Sequence, residues 1–418
     1  MSLYTASAGR PANTGILTRF GMACALAGAL AAASAPDVAA QTAPSIEALK
    51  ALLDAQQRQL DAVKAALAQA QKQAADAAAA AAAAQAQART ATESSAGKGF
   101  LDSIEVGGVV EIEATDSRDF AKTDSSDITL AKVELFLDAR PADYVSTHVQ
   151  LIYEDGGSEV VSLDEAIVTL GDPEAFPAYL QAGKWVMPFG GFDTQMSTDP
   201  LTKNLGETKE AAVLVGVAQG GFNAEGFVFN GDSQRSGRGN HIDQFGLSAA
   251  FETETDDTTV RVGAGYVNNI ADSDGLSDGL GAGAGMLANY VGGAAVHGAV
   301  GHGGFMVYGG YMTALRSFQA GELAFRGRGA RPAAWNLEAA FTTQILGRET
   351  VFAGTVQGTE EAVALGLPER RVGGAVTVGV LENTSVTVEY LHDTDYGTGD
   401  GGTGNTGHTG TVKLAAEF

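Results

Sequence analysis

The chain holds one cysteine, Cys24, in 418 residues, which excludes a disulfide framework and a thiolate metal centre. Its six histidines, at 148, 241, 297, 302, 392 and 408, fall at no HExxH or paired-ligand spacing, so no metal site is expected from them. Basic residues are scarce as well. Twenty-six Lys and Arg face 50 Asp and Glu, a net charge of -24, and no basic patch offers itself to a nucleic acid. The apolar run GMACALAGALAAASA falls short of the roughly 20 residues that a membrane-crossing helix needs. No GxSxG elbow and no phosphate-binding loop occurs. The chain therefore reads as no enzyme, with no catalytic residue and no cofactor.

What is present is 45% hydrophobic residues and 55 glycines, too apolar a mixture for a disordered chain. Arg10 and Arg19 precede the short apolar run, and Val38-Ala39-Ala40 precedes Gln41, so residues 1–40 read as a secretory signal peptide. Export beyond the inner membrane follows. Next, Ile46, Leu49, Leu53, Leu60, Val63, Leu67, Ala70, Ala74, Ala77 and Ala81 keep a 3,4 alternation, with Gln56 in its one polar slot. That spacing predicts a coiled coil within a periplasmic stem and linker, residues 41–97, which ATESSAGKG brings to an end. The competing reading is a single Ala-rich helix or a flexible linker, because alanine buries little area.

From Ile104 the period becomes 2. Val106, Gly108, Val110, Ile112 and Ala114 take one face and Glu111 and Glu113 the other. The division recurs through sixteen segments between residues 104 and 418, joined alternately by short turns such as RPAD, GHGG and EN and by longer loops rich in Gly, Asp, Ser and Asn. An even strand number with tight turns at one end and long loops at the other predicts an all-β fold: a transmembrane antiparallel β-barrel of about 16 strands over residues 98–418. A soluble sandwich or solenoid also alternates, but sixteen strands without a cysteine exceed the usual sandwich. Tyr153, Tyr266, Tyr308, Tyr311, Trp335 and Tyr390 cluster where strands meet long loops, as an interfacial girdle would. Asp164, Glu165 and Lys184 fit neither face.

One connection, about 187–210, is long and breaks the alternation. Pro188 and Pro200 fix its direction without needing a hydrogen-bond partner; Phe189, Phe192 and Met196 offer apolar contacts to an inner wall. Asp199-Pro200 starts a turn, and Gly206-Glu207-Thr208 returns the chain to the next strand. Counted from a periplasmic N-terminus it is the third external loop. In sixteen-stranded porins, which the strand plan resembles, that loop folds inward, and the resemblance implies a constriction here built from Pro188, Phe189, Gly190, Phe192, Asp193, Asp199, Pro200, Leu201, Lys203, Gly206, Glu207 and Thr208. A surface loop with no part in the pore is the alternative. Assigning polar faces to the lumen puts Glu111, Glu113, Glu134, Asp138, Glu225, Glu338, Glu389 and Glu417 against Lys132, Arg261, Arg371 and Lys413, with His148 also lining the pore. Carboxylates in excess predict a preference for cations.

The stretch GKWVMPFGGFDTQMSTDPLTKNLGETKEAAVLVG, residues 183–216, resembles the central motif of the LbtU-type siderophore porins, whose plan of signal peptide, coiled coil and mid-sized barrel also matches. The resemblance implies an outer-membrane protein of a Gram-negative bacterium that passes ferric siderophore without energy input. A final strand ending in Phe418, apolar at every second position back to Val412, resembles the signal read by the barrel assembly machinery, although Ala416 stands where many such proteins carry an aromatic. The expected partners are outer-membrane lipid, the siderophore or small hydrophilic solutes, and further copies of the chain in a homotrimer joined through the coiled coil. Two other readings stand beside it: a general diffusion porin, and a structural tether between outer membrane and cell wall. An energised receptor would need a larger barrel and a globular plug. DTDYGTGDGG and ADSDGLSDG have the acidic, glycine-rich look of calcium loops, but the first lacks the closing glutamate and correctly placed glycine.

Overall fold

The computed structural model describes residues 104–418 apart from 155–160, 173–174, 240, 256, 281–282 and 284–285. The expected signal peptide and coiled-coil stem lie outside the described residues. Strands run as β1 (Ile104–Arg118), β2 (Asp124–Ala142), β3 (Val145–Glu154), β4 (Ser162–Leu170), β5 (Ala178–Val186), β6 (Lys209–Gln219), β7 (Phe222–Phe229), β8 (Gln244–Glu254) and β9 (Thr258–Val267). They continue as β10 (Gly293–His302), β11 (Phe305–Ala314), β14 (Ala333–Ile345), β15 (Arg348–Glu360), β16 (Arg370–Leu381), β17 (Thr384–Thr394) and β18 (Thr406–Glu417), with a two-residue ladder of β12 (Ala324–Phe325) and β13 (Arg328–Gly329) inside one loop. Each of the sixteen long strands pairs with its neighbours, and β1 pairs with β18, so the sheet closes into an antiparallel barrel. Closure leaves no edge strand. Two bonds finish the seam, since Gly108 and Phe418 exchange amide and carbonyl at 3.0 Å in both directions. The Phe418 ring lies 2.5 Å from where a Cβ on Gly108 would stand. Only glycine leaves it room.

The outer face is apolar and uncovered. On β6, Val213, Val215 and Val217 point outward and are exposed, while the alternate residues Ala212 and Leu214 are buried inside. A band of bare valine, leucine and phenylalanine around a closed barrel is the surface that lipid covers, and a soluble sandwich would have buried it. Among the described residues no helix is long and apolar enough to cross a membrane. The strands do the crossing. Aromatics mark both ends of the band: Phe245 and Tyr266 pair at 6.1 Å near the long loops, and Phe222 with Phe251 and Phe305 with Phe341 pair at 4.6 and 4.4 Å near the short turns. The second ring was not anticipated.

Tyr308 corrects the first ring. It pairs across β10 and β14 with Ala299 and Glu338, which face the lumen, and it is buried there. The misfit at Asp164 and Glu165 also has a cause. A register shift between Gln150 and Leu151 makes β4 bulge, so both carboxylates find partners: Asp164 bonds Lys209, and Glu165 lies 3.9 Å from His148 Nε2. Lys184 donates to the Leu163 carbonyl at 3.3 Å.

Candidate functional site

The connection from β5 to β6, loop 3 (187–208), leaves the wall and crosses the barrel interior. Its neck is held where the Met187 amide donates to the Thr208 carbonyl at 2.8 Å. Glycines let it lie close to the wall: a Cβ on Gly191 would stand 2.4 Å from the His297 ring, and one on Gly265 of β9 would stand 2.1 Å from the Phe189 carbonyl. Phe189 and Leu205 then join one apolar cluster with Leu276 and Leu287 of loop 5 (268–292), Phe318, Leu323 and Phe325 of loop 6 (315–332) and Tyr396 of loop 8 (395–405). Loop 5 also clamps loop 3 directly, since Ser273 Oγ donates to the Leu205 carbonyl at 2.7 Å and the Asp274 amide to the Glu207 carbonyl at 2.9 Å. These loops pack together and cap part of the mouth.

Beyond Phe192 the loop reaches strands far from its own root. Thr194 Oγ1 and the Gln195 amide donate to the two oxygens of Glu338 on β14 at 2.5 and 2.6 Å, and Gln195 Nε2 donates to the Tyr308 hydroxyl at 3.1 Å. The Ser197 and Thr198 amides and Thr198 Oγ1 converge on Glu389 of β17 at 2.6, 3.2 and 2.5 Å. Ser197 Oγ donates to Glu113 on β1 at 3.2 Å. Met196 packs against Ala375 and Leu391 between these anchors. Pro200 then opens a short helix, α1 (Leu201–Gly206), whose first amide donates to Gln357 on β15 at 2.8 Å and whose Thr202 hydroxyl donates to Asn336 at 3.1 Å. Sequence reasoning expected a turn here and missed the helix.

The inner faces of β1–β4 and β18 carry the other expected lining charges, mostly in pairs. Lys132 and Glu134 meet at 3.1 Å, Lys413 and Glu111 at 3.3 Å, and His148 and Asp138 at 2.8 Å. Across from them the loop presents Asp199, Lys203 and Glu207 one helical turn apart, with Lys203 Nζ 2.9 Å from Asp199 and 3.6 Å from Glu207. Burial opposes the Lys203 charge, but Asp199 and Glu207 outweigh it and hold its pKa above the ordinary lysine value. Lys203 also comes within electrostatic range of Lys132 on the opposite wall. This wall and the loop facing it thus carry paired charges of both signs.

The other expected site residues separate into groups. Pro188, Gly190 and Thr208 shape the neck; Gly206 sits against Met312, where a Cβ would come within 2.3 Å of the sulfur. Asp193 holds Arg261 at 3.0 Å. Arg371 is taken by Asp393 at 2.8 and 2.9 Å, and Glu225 accepts from Tyr179 and Ser248 at 2.6 Å each. Glu338 and Glu389, assigned to the open pore, are 1% and 2% exposed. They are anchors beneath the loop, not free lining charges. Gln195, Ser197, Thr198, Asn336 and Gln357 were missed; a run of donors without a base, TQMST, facing an acid-rich wall was the available signal. Of the two calcium-like loops, DTDYGTGDGG has its carboxylates taken by residues outside it, because Asp393 holds Arg371, Asp395 accepts from Thr403, and Asp400 pairs with Arg326.

No family model matches the chain. It is similar to a protein of Coxiella burnetii named UPF0422 protein, 30% identical over 274 residues that make up 64% of this chain and 58% of the relative. A UPF0422 protein of Legionella pneumophila strain Lens is 28% identical over 316 residues, 70% of this chain and 59% of its own. The chain thus spans less than two thirds of the curated relatives it matches. Among solved structures, an anion-selective porin from Comamonas acidovorans superimposes with a TM-score of 0.52 at 13% identity, over 76% of this chain and 99% of its own. Pseudomonas putida OprB gives 0.52 at 9% identity, over 76% and 95%. The shared feature is the barrel fold, closed in this chain by sixteen strands.

Proposed function

We propose that the protein is a passive outer-membrane channel of a Gram-negative bacterium, and that hydrophilic solutes cross it through the slot between loop 3 and the β1–β4 wall. The observation that carries this is the strap itself: a loop held inside the barrel by side chains on β1, β11, β14, β15 and β17. The favoured cargo is a ferric siderophore, because residues 183–216, which form the strap and the strand ends on either side of it, are the stretch that resembles the LbtU-type siderophore porins. A general diffusion porin for small hydrophilic solutes is the second reading, favoured by lining charges that are paired with one another and not poised around one ligand. Uptake of labelled ferric siderophores by a deletion strain, with sugars and amino acids as controls, separates the two. Loss of all uptake classes together supports the general channel; selective loss of the chelate supports the specific one. Trimerisation through the stem and recognition of Phe418 by the assembly machinery belong to the same proposal. Envelope defects on deletion with no conductance in planar bilayers would favour the tether instead.

The same reading carries an expected ion preference. With Glu338 and Glu389 consumed as anchors, Glu111, Glu113, Glu134, Asp138, Glu165, Asp199 and Glu207 still outnumber Lys132, Lys413 and Lys203. A salt gradient across a bilayer should therefore give a reversal potential of weak cation preference that shrinks as ionic strength rises and the charges are screened. A neutral or cationic chelate would pass more readily than an anionic one. A clear anion preference would contradict this assignment of the lining.

A further inference from the structure

The barrel wall under the tip of the strap is hollow. A cavity of about 400 Å³ opens there, between Gln195 of loop 3 and the short turns at 255–258 and 302–305. Its back wall is one row of inward residues that the strand registers set side by side. Glu254 of β8 stands opposite Thr259 of β9, Thr259 opposite Gly301 of β10, Gly301 opposite Met306 of β11, and Met306 opposite Ala340 of β14. Gly301 and Ala340 contribute almost no side chain, so the wall recedes. Met306 lies across Gly301, where a Cβ would stand 2.7 Å from its Cε, and gives the recess an apolar face. Small-molecule sites occupy about 300–1,000 Å³, and this cavity falls within that range.

The row one step nearer the strap has its charges spent. Glu252 and Arg261 pair at 3.0 Å, Arg261 also holds Asp193 at 3.0 Å, and Glu338 accepts from Thr194 and Gln195. Tyr308 of that row is 7% exposed and lines the cavity; its oxygen accepts from Gln195 Nε2 at 3.1 Å, and its own hydrogen meets no acceptor among the described residues. One buried donor is left over. In the lower row the Glu254 carboxylate and the Thr259 hydroxyl have no partner among the described residues, and neither has the carboxylate of Asp257 in the turn. No Lys or Arg lines the cavity. A recess that offers carboxylates without a base concentrates cations, and an ammonium group forms charge-assisted bonds to such an acceptor. Tyr308 asks for an oxygen instead. Three strand spacings of about 4.8 Å separate β8 from β11, so the two demands stand about 14 Å apart along the wall.

We propose that the cavity beneath the strap binds an elongated, hydroxylated organic cation of the amino-sugar class. Its ammonium would sit on Glu254 and Asp257, its hydroxyls on Thr259 and Tyr308, and the apolar face of a ring on Met306. The site rests on the channel reading, because its occupant arrives through the barrel interior.

The test uses the full chain folded in detergent and two sugars of one shape: cellobiose, and its glucosamine counterpart with an amine in place of one hydroxyl on each ring. Equilibrium dialysis of the radiolabelled sugars at mildly acidic pH, where the amines are charged, should show the amino sugar bound at least about tenfold more tightly. Added salt should shrink that advantage. Glu254→Gln with Asp257→Asn should erase it and leave cellobiose binding as it was. Both residues are exposed, at the end of β8 and in the turn after it, so the variant should keep the wild-type melting temperature. If it does not, Glu254→Gln alone must remove most of the advantage. Thr259→Val, which keeps the shape and loses the hydroxyl, should weaken both sugars alike. Ion current in planar bilayers without sugar reports the channel by itself. A chain that conducts but binds the two sugars equally keeps the channel and overturns the site. Failure to bind either sugar overturns it too, as does an amine advantage that survives loss of both carboxylates. A chain that prefers the amine but passes no current keeps the site and loses the channel.

Discussion

Deleting residues 189–203 should raise single-channel conductance in planar bilayers several-fold. Conductance scales with the open cross-section, and this segment contains the whole crossing from Phe189 to α1. The barrel should survive the deletion, because β5 and β6 pair from Ala178 with Val217 to Val186 with Lys209 without help from the strap. Residues 187–188 and 204–208 remain to connect two adjacent antiparallel strands. The deletion also removes Met196 and Leu201, which are buried against the wall, so the inner surface beneath them becomes wet and the variant should unfold at a lower temperature. An unchanged conductance would mean the loop does not occupy the conducting path.

The second large effect needs no deletion. Glu338 and Glu389 together accept five hydrogen bonds from Thr194, Gln195, Ser197 and Thr198. Bonds to charged acceptors contribute about 1.5–3 kcal/mol each, so removing both carboxylates takes away most of what holds the tip of the strap. Glu338→Ala with Glu389→Ala should give channels that flicker between a small and a larger conductance, where the wild type shows one level. Glutamine at both positions should be milder, because each amide retains an accepting oxygen but turns two hydrogens toward the loop's own donors. Alanine at Glu225 is the control, since that carboxylate accepts from Tyr179, Asn223 and Ser248 of the barrel wall. Steady conductance in the alanine pair would show that other contacts suffice to fix the loop.

The strands were legible because lipid and lumen demand opposite side chains at successive positions, and that demand writes a period of 2 into segments such as 258–267 and 333–345. Loop 3 was legible by contrast, as two prolines and a donor-rich run interrupt the alternation. Which wall acids meet water was not legible. Glu338 and Glu111 look alike in sequence, and only the closed register sets one beneath Thr194 and leaves the other beside Lys413. Tyr308 failed for a related reason: an aromatic near a strand end suits a girdle or a lumen equally until the pairing of β11 with β14 decides. The bulge at Asp164 is set by the pairing of β4 with β3, and the six-residue helix α1 by anchors on Asn336 and Gln357 in strands distant along the chain.

The central claim is that the strap lies inside the barrel against the far wall, and proximity of one residue pair tests it most directly. Thr202 of α1 and Asn336 of β14 meet at 3.1 Å, and Cys24 is the sole native cysteine. With Cys24 replaced by alanine, Thr202→Cys and Asn336→Cys should be joined by a short bis-thiol reagent in the folded protein, in high yield and only when both cysteines are present. Efficient labelling of the residue 202 cysteine by a membrane-impermeant thiol reagent too large for the slot, with no cross-link to residue 336, would place the loop outside the barrel and contradict the account.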